Sequence, residues 1–379
     1  MTPPGILRRL AGPPARLALR GFAGVRTRSW APASRLFVVG EGSGWSVDED
    51  ATNVEAAARR LGWDVAPAGW ARFGGGQAVF LTSHFEALTP RWLDSSHHIG
   101  VAYMHGRPGT PGMPEFDSAF DALRERSDRI ARIQVTHREM HDLMLEAGVD
   151  PARIFRIPLG IDLEWFPLGD AERRRRAREA LGLPVSAFVA GSFQKDGVGW
   201  DEGLEPKLIK GPDVLVAALD RLRRLAPELV VLLTGPARGY IRRELERLGI
   251  PYRHVQARSR DDLAKAYHAL DVYLVASRQE GGPKAAFEAM AAGVPLVTTR
   301  VGQAQELVQH GRTGLLVEVE DDEGLAGSAA QVREDADLVA RLRAAGRSLA
   351  EAHALEMLDP RWGALLEGFV AKGDGGRAH

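Results

Sequence analysis

Short apolar runs alternate with amphipathic stretches along most of the chain. In the first half, the pattern predicts strands over 36–40, 78–83, 99–105, 133–136 and 155–158. Helical spacing of apolar residues lies between several of them, as in 54–61 and 120–130. Strands that alternate with helices in this way are typical of a parallel sheet with crossover helices.

The second half repeats this alternation more regularly. Predicted strands cover 187–193, 229–235, 252–256, 272–277, 295–299 and 314–319, and predicted helices cover 214–225, 240–248, 261–270, 284–292, 304–309 and 323–332. Near-continuous apolar strands such as 229–233 suit a sheet that is covered on both faces. We therefore predict an α/β protein of two doubly wound domains, whose ligands bind outside the carboxyl ends of the strands.

The same pattern suggests the domain boundaries. We predict a basic arm over 1–35, an N-terminal domain over 36–165, a linker over 166–185 and a C-terminal domain over 186–357. The charged run 172–178 is interpreted as a solvated helix face. The final segment, 358–379, contains apolar residues that suit packing back on the N-terminal domain; these are Trp362, Leu365, Leu366 and Phe369.

Composition narrows the class of protein. A chain of 379 residues with 45% hydrophobic and 26% charged residues can bury two cores. The net charge of −1 gives no global bias toward nucleic acid, and the absence of cysteine excludes disulfides and thiolate metal sites. The absence of cysteine makes a reducing cytoplasm the natural setting, so a cytoplasmic location is predicted. No apolar run reaches the roughly 18–20 residues that span a bilayer.

The first forty positions are basic. They contain no acidic residue but seven arginines, interleaved with apolar residues. Such a segment can lie peripherally on the inner, anionic face of a membrane or act as a targeting peptide. It can equally be a disordered or loosely docked arm, because prolines interrupt any long helix.

The strongest chemical signal is the segment 280–295, which follows the predicted strand 272–277. Gly281 and Gly282 allow close backbone approach, and Pro283 suits the first position of a helix. The free N–H groups at a helix N-terminus can hold an anion. Glu280 and Glu288 can accept hydrogen bonds from vicinal hydroxyls. The segment therefore suits a sugar or a ribose next to a phosphate.

This string resembles the signature of family 4 retaining glycosyltransferases, in which a Glu, seven residues and Glu-Ala-Met-Ala precede a Gly-x-Pro strand. The resemblance continues through 301–308 and 311–317, and weaker matches cover most of the chain beyond the first 35 residues. It implies the GT-B fold, with two Rossmann-like, doubly wound parallel-sheet domains facing a central cleft. It also implies a nucleotide-diphosphate sugar as donor.

The resemblance assigns roles to this segment. Glu288 would bind the ribose hydroxyls, whereas Glu280 and the N–H groups of Gly281 and Gly282 would bind the transferred sugar, in the turn that Pro283 completes. Lys284 is either a further donor contact or a solvent-facing helix residue.

The resemblance also implies that no metal or other cofactor is needed, because a lysine and an arginine bind the diphosphate. Lys210, which precedes Gly211, matches the lysine. Where the arginine is expected, soon after Gly191, the chain continues with Ser192-Phe193-Gln194-Lys195. Gly191 and Ser192 are predicted to contact the donor. Lys195 is the best substitute and Lys207 the next. The loop 196–209 either lines the cleft or forms a solvated flap.

Signals in the first half are weaker. The glycine-rich turn 40–46 follows a predicted strand, and the resemblance places Gly44 against the donor phosphate or the acceptor. Trp45 offers a flat face for a sugar ring or packs under the loop. His105 ends a predicted strand and resembles a family histidine that reaches the donor sugar.

The expected function is a retaining, metal-independent glycosyltransferase that moves a sugar from a nucleotide-diphosphate sugar to a hydroxyl acceptor. The expected acceptor is a glycan or glycolipid of surface polysaccharide or glycolipid assembly. Two alternatives stay open. One is a hydrolase that uses Glu280 and Glu288 as an acid–base pair. The other is a non-catalytic protein that binds nucleotide sugars or glycans, which the missing arginine keeps open.

Overall fold

The computed structural model describes residues 33, 35–42, 46–73 and 75–372. The chain divides into two compact units. Unit 1 comprises Met1–Val135, Met140–Ile157 and Asp359–His379, and unit 2 comprises Thr136–Glu139 and Pro158–Leu358. The predicted arm 1–35 therefore lies almost wholly outside the described residues, as do Gly44 and Trp45.

Unit 1 is built on a six-stranded parallel sheet. Its strands are β1 (Arg35–Val39), β2 (Asp64–Ala66), β3 (Ala78–Leu81), β4 (His98–Ala102), β5 (Ile130–Val135) and β6 (Ile154–Arg156), in the order β2-β1-β3-β4-β5-β6. The connecting helices are α1 (Ser46–Arg60), α2 (His84–Ala87), α3 (Pro90–Leu93), α4 (Pro114–Arg126) and α5 (Arg138–Glu146). Short 3₁₀ turns occupy Ala68–Phe73, Ser127–Arg129 and Pro151–Arg153.

Unit 2 contains a second six-stranded parallel sheet. Its strands are β7 (Phe188–Ser192), β8 (Leu229–Thr234), β9 (Tyr252–Val255), β10 (Val272–Val275), β11 (Leu296–Thr299) and β12 (Leu315–Val317), in the order β12-β11-β10-β7-β8-β9. Its helices are α6 (Ala171–Leu181), α7 (Pro212–Leu225), α8 (Gly239–Leu248), α9 (Arg260–His268), α10 (Lys284–Ala291), α11 (Ala304–Leu307), α12 (Asp322–Glu334) and α13 (Ala336–Ala352). The 3₁₀ turns are Leu208–Lys210 and Leu355–Leu358.

Both sheets are doubly wound, which confirms the predicted fold class. Chain order reverses between β1 and β3 in unit 1 and between β7 and β10 in unit 2. Ligands of such sheets bind at the point of reversal, outside the carboxyl ends of the strands. In unit 2, apolar helix faces cover both sides of the sheet, as shown by Leu219 of α7 and Phe287 of α10, each no more than 1% exposed.

The predicted linker 166–185 is part of unit 2 rather than a connection between domains. Its helix α6 is anchored by Arg178, which is 1% exposed. The guanidinium forms an ion pair with Asp271 at 2.5 Å and donates hydrogen bonds to the carbonyls of Ala269 and Ala187. A buried arginine needs such partners, so the charged run 172–178 is not wholly a solvated face.

The C-terminal segment belongs to unit 1, where it forms helix α14 (Asp359–Leu366). The Trp362 ring meets Phe80 of β3 edge to face at a centroid distance of 5.7 Å. Arg60 of α1 donates two hydrogen bonds to the carboxylate of Asp359. Leu365 is fully buried. Within the described ranges, no helix is both long enough and apolar enough to cross a membrane.

Candidate functional site

Polar side chains converge at the point of reversal in unit 2. Strand β7 ends at Ser192 and its neighbour β10 ends at Val275. Gln194 follows β7 in the chain, and Ser277 and Glu280 follow β10. These three side chains contact one another, so the carboxyl ends of β7 and β10 create one polar site around Glu280.

Glu280 lies at the centre of this site and is 6% exposed. Its Oε1 accepts hydrogen bonds from Gln194 Nε2 at 2.7 Å and Ser277 Oγ at 2.8 Å, and its Oε2 accepts one from Lys210 Nζ at 2.7 Å. A carboxylate offers about four acceptor positions. Three are filled by the protein, which leaves one on Oε2 for a ligand hydroxyl.

Lys210 reaches Glu280 from the 3₁₀ turn Leu208–Lys210. The following residue, Gly211, has φ of 60° and ψ of 40° and caps helix α7. A Cβ on Gly211 would lie 1.9 Å from the carbonyl oxygen of Ala276, at the exit of β10. Glycine is therefore required for the close approach that brings Lys210 to the carboxylate.

The turn after Glu280 is tight. A Cβ on Gly282 would lie 2.6 Å from Cδ of Gln303, a side chain that is 1% exposed. Pro283 occupies the position before helix α10, with φ of −67° and ψ of 95°, so the first helical residue is Lys284. Pro283 was predicted at the first helical position but lies at the N-cap, one residue earlier, because its ψ is extended.

Glu288 lies on helix α10, and its Oε2 accepts a hydrogen bond from the hydroxyl of Tyr267 at 2.6 Å. Tyr267 is fully buried, and its ring packs against Phe193 and Tyr273 at centroid distances of 4.8 Å and 5.4 Å. Burial, and then the charge of Glu288, hold the pKa of Tyr267 well above its ordinary value. The phenol therefore stays protonated and orients the Glu288 carboxylate.

Replacing Tyr267 by phenylalanine is expected to lower the free energy of unfolding by about 1–2 kcal/mol, because a hydrogen bond to a charged acceptor is lost while the ring packing stays. Urea denaturation measures this. The matched control is Tyr252→Phe, which removes a surface hydroxyl bonded to Glu246 and should cost less than about 0.5 kcal/mol. Equal losses in the two variants would mean that burial adds nothing to the Tyr267 contact.

Ser192, at the exit of β7, is 3% exposed. Its carbonyl accepts a hydrogen bond at 2.7 Å from Arg238, which is 1% exposed. Gly191 is required there, since a Cβ would lie 2.3 Å from Leu270 Cδ1. Lys195, the predicted substitute for the absent arginine, lies beyond them with its ammonium over the Trp200 ring at 3.8 Å.

Sequence reasoning missed four residues of this region: Gln194, Ser277, Tyr267 and Arg238. Gln194 and Ser277 follow strands directly, and the rule that ligands bind at strand ends could have found them. Tyr267 lies on helix α9 and Arg238 follows β8, so only the folded chain brings them near the site.

In unit 1, His105 lies three residues beyond β4 and is partly exposed. Its ring meets those of His84 and Phe116 edge to face, at centroid distances of 5.5 Å and 5.7 Å. Burial, and then His105, hold the pKa of His84 well below its ordinary value. His84 is therefore a neutral packing partner of His105.

A cavity of about 710 Å³ opens at the point of reversal in unit 1. Its lining includes Gly40 and Glu41 after β1, and Ser83 and Phe85 after β3. This size suits a small molecule. Over the ranges that the structure describes, no three His, Asp or Glu side chains are grouped closely enough to hold a metal ion.

Parts of the chain are similar in sequence to known glycosyltransferases. Residues 203–335 fit the family model described as Glycosyl transferases group 1. The D-inositol 3-phosphate glycosyltransferase of Corynebacterium urealyticum is 34% identical over 215 residues, 53% of this chain and 48% of that protein. D-inositol 3-phosphate glycosyltransferase 1 of Catenulispora acidiphila is 31% identical over 270 residues, 66% of this chain and 60% of that protein.

Over residues 203–335, the chain is therefore similar to the group 1 glycosyl transferases. Its fold is GT-B: the structure of HepE from Anabaena, in complex with UDP and glucose, superposes with a TM-score of 0.71 at 16% identity, covering 88% of this chain and 99% of that one. The chain spans about half the length of the first curated relatives that it matches. The matched family segment contains Lys210, Glu280 and Glu288.

Proposed function

We propose that this protein is a group 1 glycosyl transferase, which moves a sugar from a nucleotide-diphosphate sugar to a hydroxyl acceptor, with retention of anomeric configuration and without a metal ion. The observation that carries the proposal is the buried Glu280 carboxylate at the point of reversal in unit 2, hydrogen-bonded by Lys210 and Gln194 beside the turn into helix α10. This places a hydroxyl-binding anion and a cation within 2.7 Å of each other.

The chemistry follows from those groups. The open acceptor position on Glu280 Oε2 binds a hydroxyl of the transferred sugar, and Glu288 binds the ribose hydroxyls. Negative charge grows on the diphosphate as the glycosidic bond breaks. Cations that are already in place, Lys210 and Lys195, stabilise that charge more in the transition state than in the ground state. The acceptor hydroxyl attacks the anomeric carbon on the face that the diphosphate leaves, and a leaving-group oxygen takes its proton.

The nucleotide and acceptor to test first come from the similar proteins. HepE is described in complex with UDP and glucose, so UDP-sugars are the first donors. The curated relatives are named for D-inositol 3-phosphate, so that polyol is the first acceptor. Glycan and glycolipid acceptors of surface polysaccharide assembly remain the second proposal.

The test is sugar transfer from UDP-, GDP- and ADP-sugars to these acceptors, with and without EDTA, followed by NMR assignment of the product anomer. We expect one nucleotide to be preferred, EDTA to leave the rate unchanged and the product to keep the donor's anomeric configuration. An inverted product or an EDTA-sensitive rate would contradict the mechanism.

Binding is tested separately by thermal unfolding. The preferred nucleotide at 100 times its dissociation constant should stabilise the protein by about 2.7 kcal/mol, and Glu288→Ala should abolish the shift. Binding without transfer to any acceptor would favour a nucleotide-sugar-binding protein, the function that the serine at position 192 keeps open.

A further inference from the structure

The loop between the two halves of the donor site is an ordered hairpin. Its arms pair antiparallel at Gly197 and Pro206, and the Val198 N–H donates to the Glu205 carbonyl at 2.9 Å. Its first arm follows Gln194, which contacts Glu280, and its second arm leads to Lys210, which contacts the same carboxylate. We call residues 196–207 the donor hairpin.

The base of the donor hairpin is anchored by a buried ion pair. Asp196 Oδ1 lies 3.0 Å from Arg238 Nε, and both side chains are no more than 4% exposed. The same guanidinium donates to the carbonyls of Ser192 and Thr234, at the ends of β7 and β8. The base is thereby fixed to the sheet edge that carries the donor site.

The tip of the donor hairpin is fixed to helix α8. The N–H groups of Gly239 and Tyr240, which begin that helix, donate to the carbonyls of Glu202 and Gly203 at 2.7 Å and 2.8 Å. A Cβ on Gly203 would lie 2.4 Å from the carbonyl of Ala237, so the tip packs backbone to backbone. Trp200 lies within the donor hairpin and is 54% exposed.

The Trp200 indole lies against the Lys195 side chain. Lys195 Nζ is 3.8 Å from the centroid of the Trp200 ring. Burial lowers the pKa of Lys195, and no charged neighbour in the described part of the chain adds to that shift. A lysine on a flexible stem usually loses side-chain entropy when it binds a phosphate, whereas an arginine fork is already organised. A cation–π contact reduces that loss because it restricts the ammonium before the ligand arrives.

We propose that Trp200 is a positioning residue for donor binding: its indole holds the ammonium of Lys195, which follows the Glu280 partner Gln194 in the chain, and Lys195 binds the diphosphate in place of the arginine that is absent after Gly191. This inference rests on the proposed function and deepens it. In this arrangement, a lysine positioned by an aromatic ring takes the place of a pre-organised guanidinium.

The test is calorimetric titration with the preferred nucleoside diphosphate among UDP, GDP and ADP. Trp200→Leu keeps an apolar side chain but removes the π face, and should raise the dissociation constant about 3- to 10-fold. Trp200→Phe keeps a face and should fall between wild type and Trp200→Leu. The matched control is Trp165→Leu, because Trp165 is 41% exposed and lies under Arg260 at 4.7 Å; it should leave the dissociation constant unchanged.

A double-mutant cycle separates positioning from general structure. Lys195→Ala should weaken binding by itself, and Trp200→Leu added to it should have no further effect, since Trp200 acts through Lys195. Binding of the corresponding nucleoside, which lacks phosphates, should be the same in all variants. Full additivity of the two substitutions, or weaker nucleoside binding in Trp200→Leu, would overturn the inference.

The outcomes distinguish this inference from the proposed function. If the wild type binds none of the three diphosphates, both fail. If the wild type binds one of them and neither Lys195→Ala nor Trp200→Leu changes its dissociation constant, the donor site stands and the role of Trp200 is rejected.

Discussion

Replacing Lys210 by methionine is expected to lower kcat/KM for sugar transfer by about 10²–10³-fold. The ammonium lies 2.7 Å from Glu280, between strand β10 and the turn into helix α10. Methionine keeps the length of the side chain and removes the charge. Losing one pre-organised group that stabilises developing charge in an enclosed site costs about that factor. Initial rates at varied donor concentration measure the effect.

The same substitution leaves Glu280 buried with one fewer partner, so stability must be measured beside activity. Lys210→Met should lower the free energy of unfolding by about 1–3 kcal/mol. Adding Glu280→Gln removes the uncompensated charge and should recover part of the stability, while transfer stays lost. Lys265→Met, which removes a lysine 3.7 Å from surface residue Asp262, is the matched control and should change neither quantity. Transfer at the wild-type rate in Lys210→Met would reject Lys210 as a diphosphate contact.

The fold of unit 2 was predicted almost completely because most of its strands are short apolar runs; β9, which contains Arg253 and His254, is the exception. All six predicted strands of the second half are present, shifted by no more than two residues at either end. In unit 1 the strand β2 was missed. Its three residues, Asp64–Ala66, include an exposed aspartate and a half-buried valine, so no apolar run marks them. They form a strand because they pair with β1.

The polar site around Glu280 was predicted to the extent that its residues follow strands. Glu280 and Lys210 were both named from the sequence, but the ion pair between them depends on the turn geometry at Gly211. Tyr267 was missed because its partner Glu288 lies 21 positions away on another helix. The hydrogen bond from Arg238 to the Ser192 carbonyl was missed for a related reason, because Arg238 follows a different strand, β8.

Domain limits were the weakest prediction. The segment 166–185 has the charged, loop-like composition of a linker, yet Arg178 anchors it to unit 2 through Asp271. The sequence alone does not distinguish a buried arginine from a solvated one. Arg178 is buried because the fold places Asp271, the residue before β10, next to it.

Replacing Gly211 by alanine is expected to lower the free energy of unfolding by about 2–4 kcal/mol. About 1 kcal/mol comes from a left-handed backbone, since φ is 60° at Gly211. The remainder is overpacking, because the new Cβ would lie 1.9 Å from the Ala276 carbonyl oxygen. Ala276 precedes Ser277, so any backbone shift that relieves the overlap also moves a hydrogen-bond partner of Glu280. Transfer activity should therefore fall further than stability alone explains.

The control for this substitution isolates the backbone contribution. Gly249, which caps helix α8, has φ of 65°, and no atom lies within 4 Å of a Cβ built there. Gly249→Ala should therefore cost only about 1 kcal/mol and leave donor binding intact. Urea unfolding of both variants, with nucleotide titration under native conditions, separates the two contributions. Equal destabilisation of the two variants would show that the backbone at Ala276 moves away from the new Cβ without a loss of stability. The close approach at Gly211 would then not be what holds Lys210 against Glu280.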